Sequence, residues 1–248
     1  MKKNSDTLII SPVYNESSTL KHFLRRLRES YKDDLLIVDD GSTDDSREII
    51  QSLECENTSA ISHTERCGYG CALQTGFDFA MKNGYNRIIT MDTDLQHNPE
   101  RAPHFFEKLN EYDVVLGSRY MNPGDISHVP PERYCINRRI ANLFDRLFSV
   151  KFSDPFCGYR GFSRKFLEKA EFEIPGYGFA LETLTEMIRT GVTFTEITVE
   201  LIYLDDDRIF MDGLDNRVER YKYYLEVIYH KRKKMYENEK ISGCITAS

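Results

Sequence analysis

The first half of the chain alternates short β-branched and aliphatic runs with segments whose apolar residues recur at helical spacing. The runs occupy residues 7–11, 35–39, 58–63, 87–91 and 114–118. Between them Leu20, Phe23, Leu24 and Leu27 share one helical face, and Leu73, Phe77, Ala80 and Met81 share another. Strands of this length alternating with such helices predict βαβ units, hence an α/β protein with a mostly parallel sheet. Asn83-Gly84 supplies a left-handed stop for the second helix.

From Tyr120 the pattern changes. Residues 121–133, MNPGDISHVPPER, are polar and rich in Pro and Gly, too long for an ordinary connection and therefore a candidate functional loop. The spacing then predicts a helix over 134–148, a loop over 154–160, a helix around 181–188 stopped by Gly191, and a strand over 193–204. A second long, acidic loop covers 205–216, and a tyrosine-rich helix over 217–238 ends in a basic cluster. The expected organisation is one α/β domain over 1–216, with 217–248 a helix and tail packed on it or peripheral to it.

Composition narrows the classes. Hydrophobic residues at 40% and charged residues at 29% of 248 fit a folded globular chain. A formal charge of −7, from 33 basic and 40 acidic residues, argues against a partner that is nucleic acid, which needs a basic surface. The start, MKKNSDTLIISP, has only a short apolar run before Pro12, and no window approaches the roughly 18 apolar residues of a membrane span. The expectation is a cytoplasmic protein or one peripheral to a membrane, with a membrane subunit as partner left open. Cys55, Cys67, Cys71, Cys135, Cys157 and Cys244 form no CxxC pair, so reduced packing thiols are expected. Cys67 and Cys71, one helical turn apart, leave room for a metal pair.

The polar clusters fall after predicted strands, where ligands bind in open α/β sheets. Ser11-Pro12-Val13-Tyr14-Asn15-Glu16 follows the first and Val38-Asp39-Asp40-Gly41-Ser42-Thr43-Asp44 the second. Such groups suit a nucleoside, and they equally suit helix capping by Asn15, Ser42 or Asp44. Arg66-Cys67-Gly68-Tyr69-Gly70 opens a helix that could meet an anion or be a plain junction. Asp92-Thr93-Asp94-Leu95-Gln96 follows the apolar run RIITM. Two carboxylates one residue apart, with an amide beyond, are hard oxygen ligands for Mg²⁺ or Mn²⁺. His63, His97, His104 and His128 read as surface residues, and the run His230-Lys231-Arg232-Lys233-Lys234 as a solvated helix end rather than a lipid contact.

In this order, and with Gly117-Ser118-Arg119-Tyr120 and Asp154-Pro155-x-x-Gly158-Tyr159-Arg160 added, the motifs resemble glycosyltransferase family 2 over about residues 7–204, nearest its dolichyl- or polyprenyl-phosphate mannosyltransferase branch. The resemblance implies a GT-A fold, with a Rossmann-like, mostly parallel central sheet and flanking helices. It also implies an inverting, Mg²⁺- or Mn²⁺-dependent transfer from a nucleotide-sugar, GDP-mannose in that branch. Position by position, Pro12, Tyr14, Glu16, Val38 and Asp40 match the nucleoside site, with Arg66 and Thr93 in the donor set. Asp92, Asp94 and Gln96 match the metal and diphosphate positions. Arg119 matches an arginine near the phosphates, and Arg208 the arginine of a donor-closing loop, so that Asp94, Arg119 and Arg208 are the expected catalytic set. The family's Ser-Lys pair after that arginine is missing, since no lysine follows before Lys222.

A lipid-phosphate acceptor is already anionic and needs no base, whereas a hydroxyl acceptor needs a carboxylate. Asp154 and Glu182 are the base candidates by position, and Arg139 and Arg160 the candidates to join Arg119 on a phosphate. The loops 121–133 and 205–216 are expected to close over the donor. The rivals are a nucleotidyltransferase, which would carry a glycine-rich basic loop after the first strand, and a binding module without catalysis.

Overall fold

The computed structural model describes residues 5–53, 57–122, 126, 129–202 and 213–245. Asp207, Arg208 and His128 lie outside the described residues, as do parts of both expected closing loops. The strands are β1 (Thr7–Val13), β2 (Asp34–Asp39), β3 (Thr58–Ser62), β4 (Arg87–Thr90), β5 (Val114–Ser118), β6 (Arg160–Ser163) and β7 (Phe194–Thr198). The helices are α1 (Leu20–Ser30), α2 (Ser46–Leu53), α3 (Tyr69–Lys82), α4 (Ala102–Lys108), α5 (Pro131–Phe148), α6 (Arg164–Leu167), α7 (Phe179–Thr190) and α8 (Arg217–Ile245).

One seven-stranded sheet runs β3-β2-β1-β4-β6-β5-β7. Neighbours are parallel except around β6, which is antiparallel to both β4 and β5. Parallel strands covered on both faces bury every residue, which explains the unbroken apolar runs. All seven residues of β1 and all six of β2 are buried. Successive side chains point to opposite faces. Leu8, Ile10, Leu36 and Val38 therefore pack on one side with Phe77 of α3, Phe144 of α5, Leu184 of α7 and Ile228 of α8. Ile9, Leu35, Ile37 and Ile89 pack on the other with Leu24 of α1, Ile50 of α2 and Phe105 of α4.

The sequence places five strands and the α/β class correctly, with ends shifted by up to two residues. Helix α7 closes at Gly191, whose φ of 63° is the expected left-handed stop. Two expectations need correction. Of the described residues in the segment expected as a strand over 193–204, only Phe194–Thr198 form one, and β6 begins at Arg160, the last residue of the expected loop, and runs on through residues with no expected element. Among the described residues no helix is long and apolar enough to cross a membrane.

Helix α8 packs on α7 rather than trailing from the domain, burying Tyr224, Val227 and Ile228. Lys231, expected to be solvated, is 4% exposed. Its ammonium lies 2.9 Å from Glu186 Oε1 and 3.1 Å from Glu182 Oε1. A buried charge has to be paired, and here two buried carboxylates meet one lysine, with Glu173 Oε1 a third at 3.7 Å.

Candidate active site at the carboxyl edge of the sheet

Parallel β1, β2 and β4 all end at one edge, so the loops after Val13, Asp39 and Thr90 meet there. Antiparallel β6 starts at that same edge, which brings the segment before Arg160 between the ends of β4 and β5.

The first two loops are tied to one another. Asn15, at a φ of 56°, accepts from Thr43 N at 2.8 Å and Asp44 N at 3.3 Å, while its own N–H donates to Ser42 Oγ at 3.1 Å. Ser17 N donates to Asp44 Oδ2 at 3.1 Å, and Glu16 N to Ser46 Oγ at 2.9 Å. Asp44 also accepts from Ser46 N at 3.0 Å at the start of α2, so capping and loop-to-loop bracing coexist. Pro12 and Val38 are register partners inside β1 and β2. Tyr14 is half-buried beneath the Arg66 guanidinium, 5.1 Å from its ring centre.

Asp40 is 3% exposed and serves the chain itself. Its carboxylate accepts from Cys67 N at 2.8 Å and Gly68 N at 2.7 Å, and lies 2.8 Å from His63 Nδ1. The amino end of α3 thus already holds an anion, the protein's own carboxylate. His63 is accordingly half-buried, not a free surface side chain.

The Asp92–Gln96 turn folds back through Leu95, whose φ is +63°. Asp94 Oδ1 accepts from Gln96 N at 3.0 Å, and Asp92 Oδ1 from the Tyr69 hydroxyl at 3.0 Å. His97 is buried, a correction to its reading as surface, and its Nδ1 accepts the Asp92 N–H at 3.2 Å. Thr93 Oγ1 is buried without a hydrogen-bond partner among the described residues, at a cost of about 1–3 kcal/mol unless a ligand completes it. Opposite the turn, a Cβ on Gly158 would sit 2.6 Å from Asp92 Oδ2. Only a glycine leaves that oxygen its position. Two carboxylates and an amide oxygen fit a hard divalent cation, so Asp92, Asp94 and Gln96 would hold Mg²⁺ or Mn²⁺, with the His97 ring behind them, its Nε2 3.9 Å from Asp92 Oδ2.

Gly158→Ala is therefore expected to cut any activity that uses Asp92 by about tenfold or more, since misplacement on the ångström scale is costly. The fold should change little, because the displaced atom is the far end of a side chain. Thermal unfolding beside activity checks this; an unchanged rate would show that Asp92 can move freely.

Arg119 and Asp154 form a two-point ion pair. Arg119 Nε lies 2.6 Å from Asp154 Oδ2 and Nη2 3.0 Å from Oδ1. Arg119 N at 3.1 Å and Asn137 Nδ2 at 2.7 Å add to the same carboxylate. Burial alone would raise the Asp154 carboxyl, but the Arg119 charge and these hydrogen bonds outweigh it and hold it below the usual carboxylate range.

A cleft joins these parts. Tyr69, Asp92, Gln96 and Gly158 line it together with Arg119, Arg133, Asn137 and Arg220, and with Tyr120, Phe156, Tyr177 and Tyr224. The other acceptor candidates lie elsewhere. Arg160 is buried and donates to the carbonyls of Cys157, Pro155 and Ala180 at 2.7–2.8 Å, tying its loop to α7. Arg139 is exposed beside Tyr221, in a neighbouring apolar groove. Glu182, 0% exposed, accepts from Glu173 N at 2.9 Å and Ile174 N at 3.0 Å beside Lys231. Sequence reasoning passed over Arg133, Tyr177, Arg220 and Tyr224. Arg133 was visible as the last residue of a flagged loop, whereas Arg220 sits in the C-terminal helix, expected to pack on the domain or to be peripheral to it.

A covered, mostly parallel sheet with a D-x-D turn at the end of its fourth strand is the architecture of a GT-A glycosyltransferase. The chain belongs to glycosyl transferase family 2, whose profile matches residues 8–170, and it is a glycosyltransferase. It is 29% identical over 202 residues to the polyprenol monophosphomannose synthase of Mycolicibacterium smegmatis, covering 78% of this chain and 76% of that one. It is 30% identical over 202 residues to the undecaprenyl-phosphate mannosyltransferase of Micrococcus luteus, covering 79% and 83%. In fold it is similar to the glucosyl-3-phosphoglycerate synthase of Mycobacterium tuberculosis crystallised with Mn²⁺, uridine diphosphate and phosphoglyceric acid. That likeness has a TM-score of 0.71 at 17% identity and covers 91% of this chain and 78% of that one.

Proposed function

We propose that the chain is an inverting, metal-dependent glycosyltransferase that moves a hexose, mannose from GDP-mannose as the motif resemblance implies, onto a polyprenyl phosphate. The observation that carries this reading is the composition of the cleft. Among the described residues three arginines line the cleft with Asp92 and Gln96 of the D-x-D turn, Arg119 paired with Asp154 and Arg220 with Glu132, and Asp92 is the one carboxylate in the lining. Among the described residues that lining suits a second phosphate better than a hydroxyl acceptor, which needs a free carboxylate as base. The names of the two mannosyltransferase relatives point the same way.

In this mechanism Tyr14, Glu16, Asp40 and Arg66 flank the nucleoside, and Pro12 and Val38 form the floor beneath it. A cation held by Asp92, Asp94 and Gln96 supplies charge neutralisation for the diphosphate leaving group. Arg119, kept in place by Asp154 and Asn137, meets phosphate oxygens at the reacting centre, with Arg133 and Arg220 alongside. A phosphate oxygen of the acceptor attacks the anomeric carbon from the face opposite the diphosphate. The carbon–oxygen bond to the diphosphate breaks, the nucleoside diphosphate leaves with the electron pair, and the configuration inverts. Arg208, outside the described residues, is assigned to closing the donor site.

The deciding experiment compares transfer to a short polyprenyl phosphate with transfer to sugar and protein hydroxyls. Product with the lipid phosphate alone, and activity retained in Glu182→Gln to the extent that the variant folds, is the expected result. Transfer only to a hydroxyl would overturn the acceptor and leave the family standing. The rival with observational support is a family 2 enzyme acting on a soluble phosphorylated acceptor. The same cleft chemistry favours it, and a phosphorylated glycerate in the same assay tests it.

A further inference from the structure

Three side chains of different chemistry meet where β2 and β3 end and α3 begins. A carboxylate oxygen of Asp40, a ring nitrogen of His63 and the Cys67 sulfur all lie within 4.8 Å of one another. Among the described residues no other three His, Cys, Asp or Glu side chains come together in this way. We propose that Asp40, His63 and Cys67 form a second divalent-cation site, selective for zinc or another thiolate-preferring ion, separate from the oxygen ligands of the D-x-D turn.

The ligand set decides the metal. Thiolate and imidazole favour zinc-like ions and are poor ligands for Mg²⁺. Three protein ligands with a fourth position left to water is a common zinc arrangement. The surroundings are already those of a ligand set. Cys67 N and Gly68 N hold the Asp40 carboxylate at 2.8 and 2.7 Å, and His63 Nε2 lies 3.0 Å from Thr75 Oγ1. Outer contacts of this kind orient metal-bound carboxylates and imidazoles.

Without the ion, His63 Nδ1 and Asp40 Oδ1 share a hydrogen bond at 2.8 Å. With it, Nδ1 gives its lone pair to the cation, the neutral ring carries its proton on Nε2 facing Thr75 Oγ1, and the exposed Cys67 thiol releases its own to solvent. Zinc bonds of about 2.0–2.3 Å in a tetrahedron separate ligand atoms by roughly 3.3–3.8 Å. The imidazole and carboxylate need to part by about half an ångström, a small motion for a loop histidine. A consequence that rests on the donor reading above is that the bound ion, next to Tyr14 and Arg66, competes with the nucleoside.

The test titrates the reduced full-length chain, in excess Mg²⁺, with Cd²⁺ and follows the ultraviolet thiolate-to-cadmium absorption. The expected result is a saturable band at about one equivalent, displaced by Zn²⁺ but not by further Mg²⁺. Cys67→Ser, a near-isosteric change at an exposed position, should remove it. His63→Gln should weaken binding by about tenfold or more, while Cys71→Ser and Cys135→Ser leave it intact. A band that survives Cys67→Ser, or no saturable band at all, overturns the site. Nucleoside diphosphate binding measured at saturating Zn²⁺ is the separate arm. Unchanged nucleotide affinity with the band intact would remove the competition and keep the metal site.

Discussion

Asp94→Ala should lower glycosyl transfer on the order of 10²–10³-fold, the size expected when a preorganised electrostatic contact to a developing charge is removed. A diphosphate beside the half-buried Asp92 and Asp94 is unfavourable until a cation lies between them. The same cation neutralises the charge that grows on the leaving group. The Asp94 side chain is half-buried and accepts from Gln96 N at 3.0 Å within its own turn, so stability should fall by about 1 kcal/mol, as for most partly exposed changes. A large loss of rate with a small loss of stability is thus the expected signature. Chelation should silence the wild type, with Mg²⁺ or Mn²⁺ restoring it and not the variant. Full activity of Asp94→Ala in the presence of chelator would end the metal-dependent reading.

The second large effect is on stability. Asp154→Ala strands Arg119 among buried groups after removing both points of their ion pair, with Asn137 losing its acceptor as well. Breaking one side of a buried pair costs about 3–5 kcal/mol, more than the pair contributes against an apolar replacement, because the remaining charge stays desolvated. Urea denaturation should show a loss in that range, while Arg119→Leu with Asp154→Leu recovers part of the stability and none of the transfer. The pH dependence carries the same sign. The folded Asp154 carboxyl titrates below its unfolded value. Its contribution is therefore complete above about pH 4–5 and lost as pH falls through the lower folded value. Wild-type stability should decline more steeply on acidification than that of Asp154→Asn. Parallel acid profiles for the two proteins would mean that the pair adds nothing to folding.

Local periodicity and local chemistry were enough to reach the α/β class, the five leading strands, the Gly191 stop and the D-x-D turn. Each of these is set within a few residues: burial on two faces makes a strand apolar throughout, a left-handed stop favours glycine, and a strand end followed by paired carboxylates is legible without knowing its neighbours. The resemblance across the ordered motifs then reached the family. What the sequence could not reveal depends on partners far along the chain. Strand β6 has only four residues and no distinctive pattern, yet its antiparallel insertion between β4 and β5 sets Gly158 against Asp92 and Asp154 against Arg119. Arg220 reaches the cleft because α8 packs on the domain through Tyr224, Val227 and Ile228, and that packing also buries Lys231 against Glu182, residues whose types predict exposure. Charge and polarity are properties of a residue, but burial and pairing are properties of the surroundings. The tertiary structure alone therefore decided which arginines face the cleft and which carboxylates are locked into salt bridges.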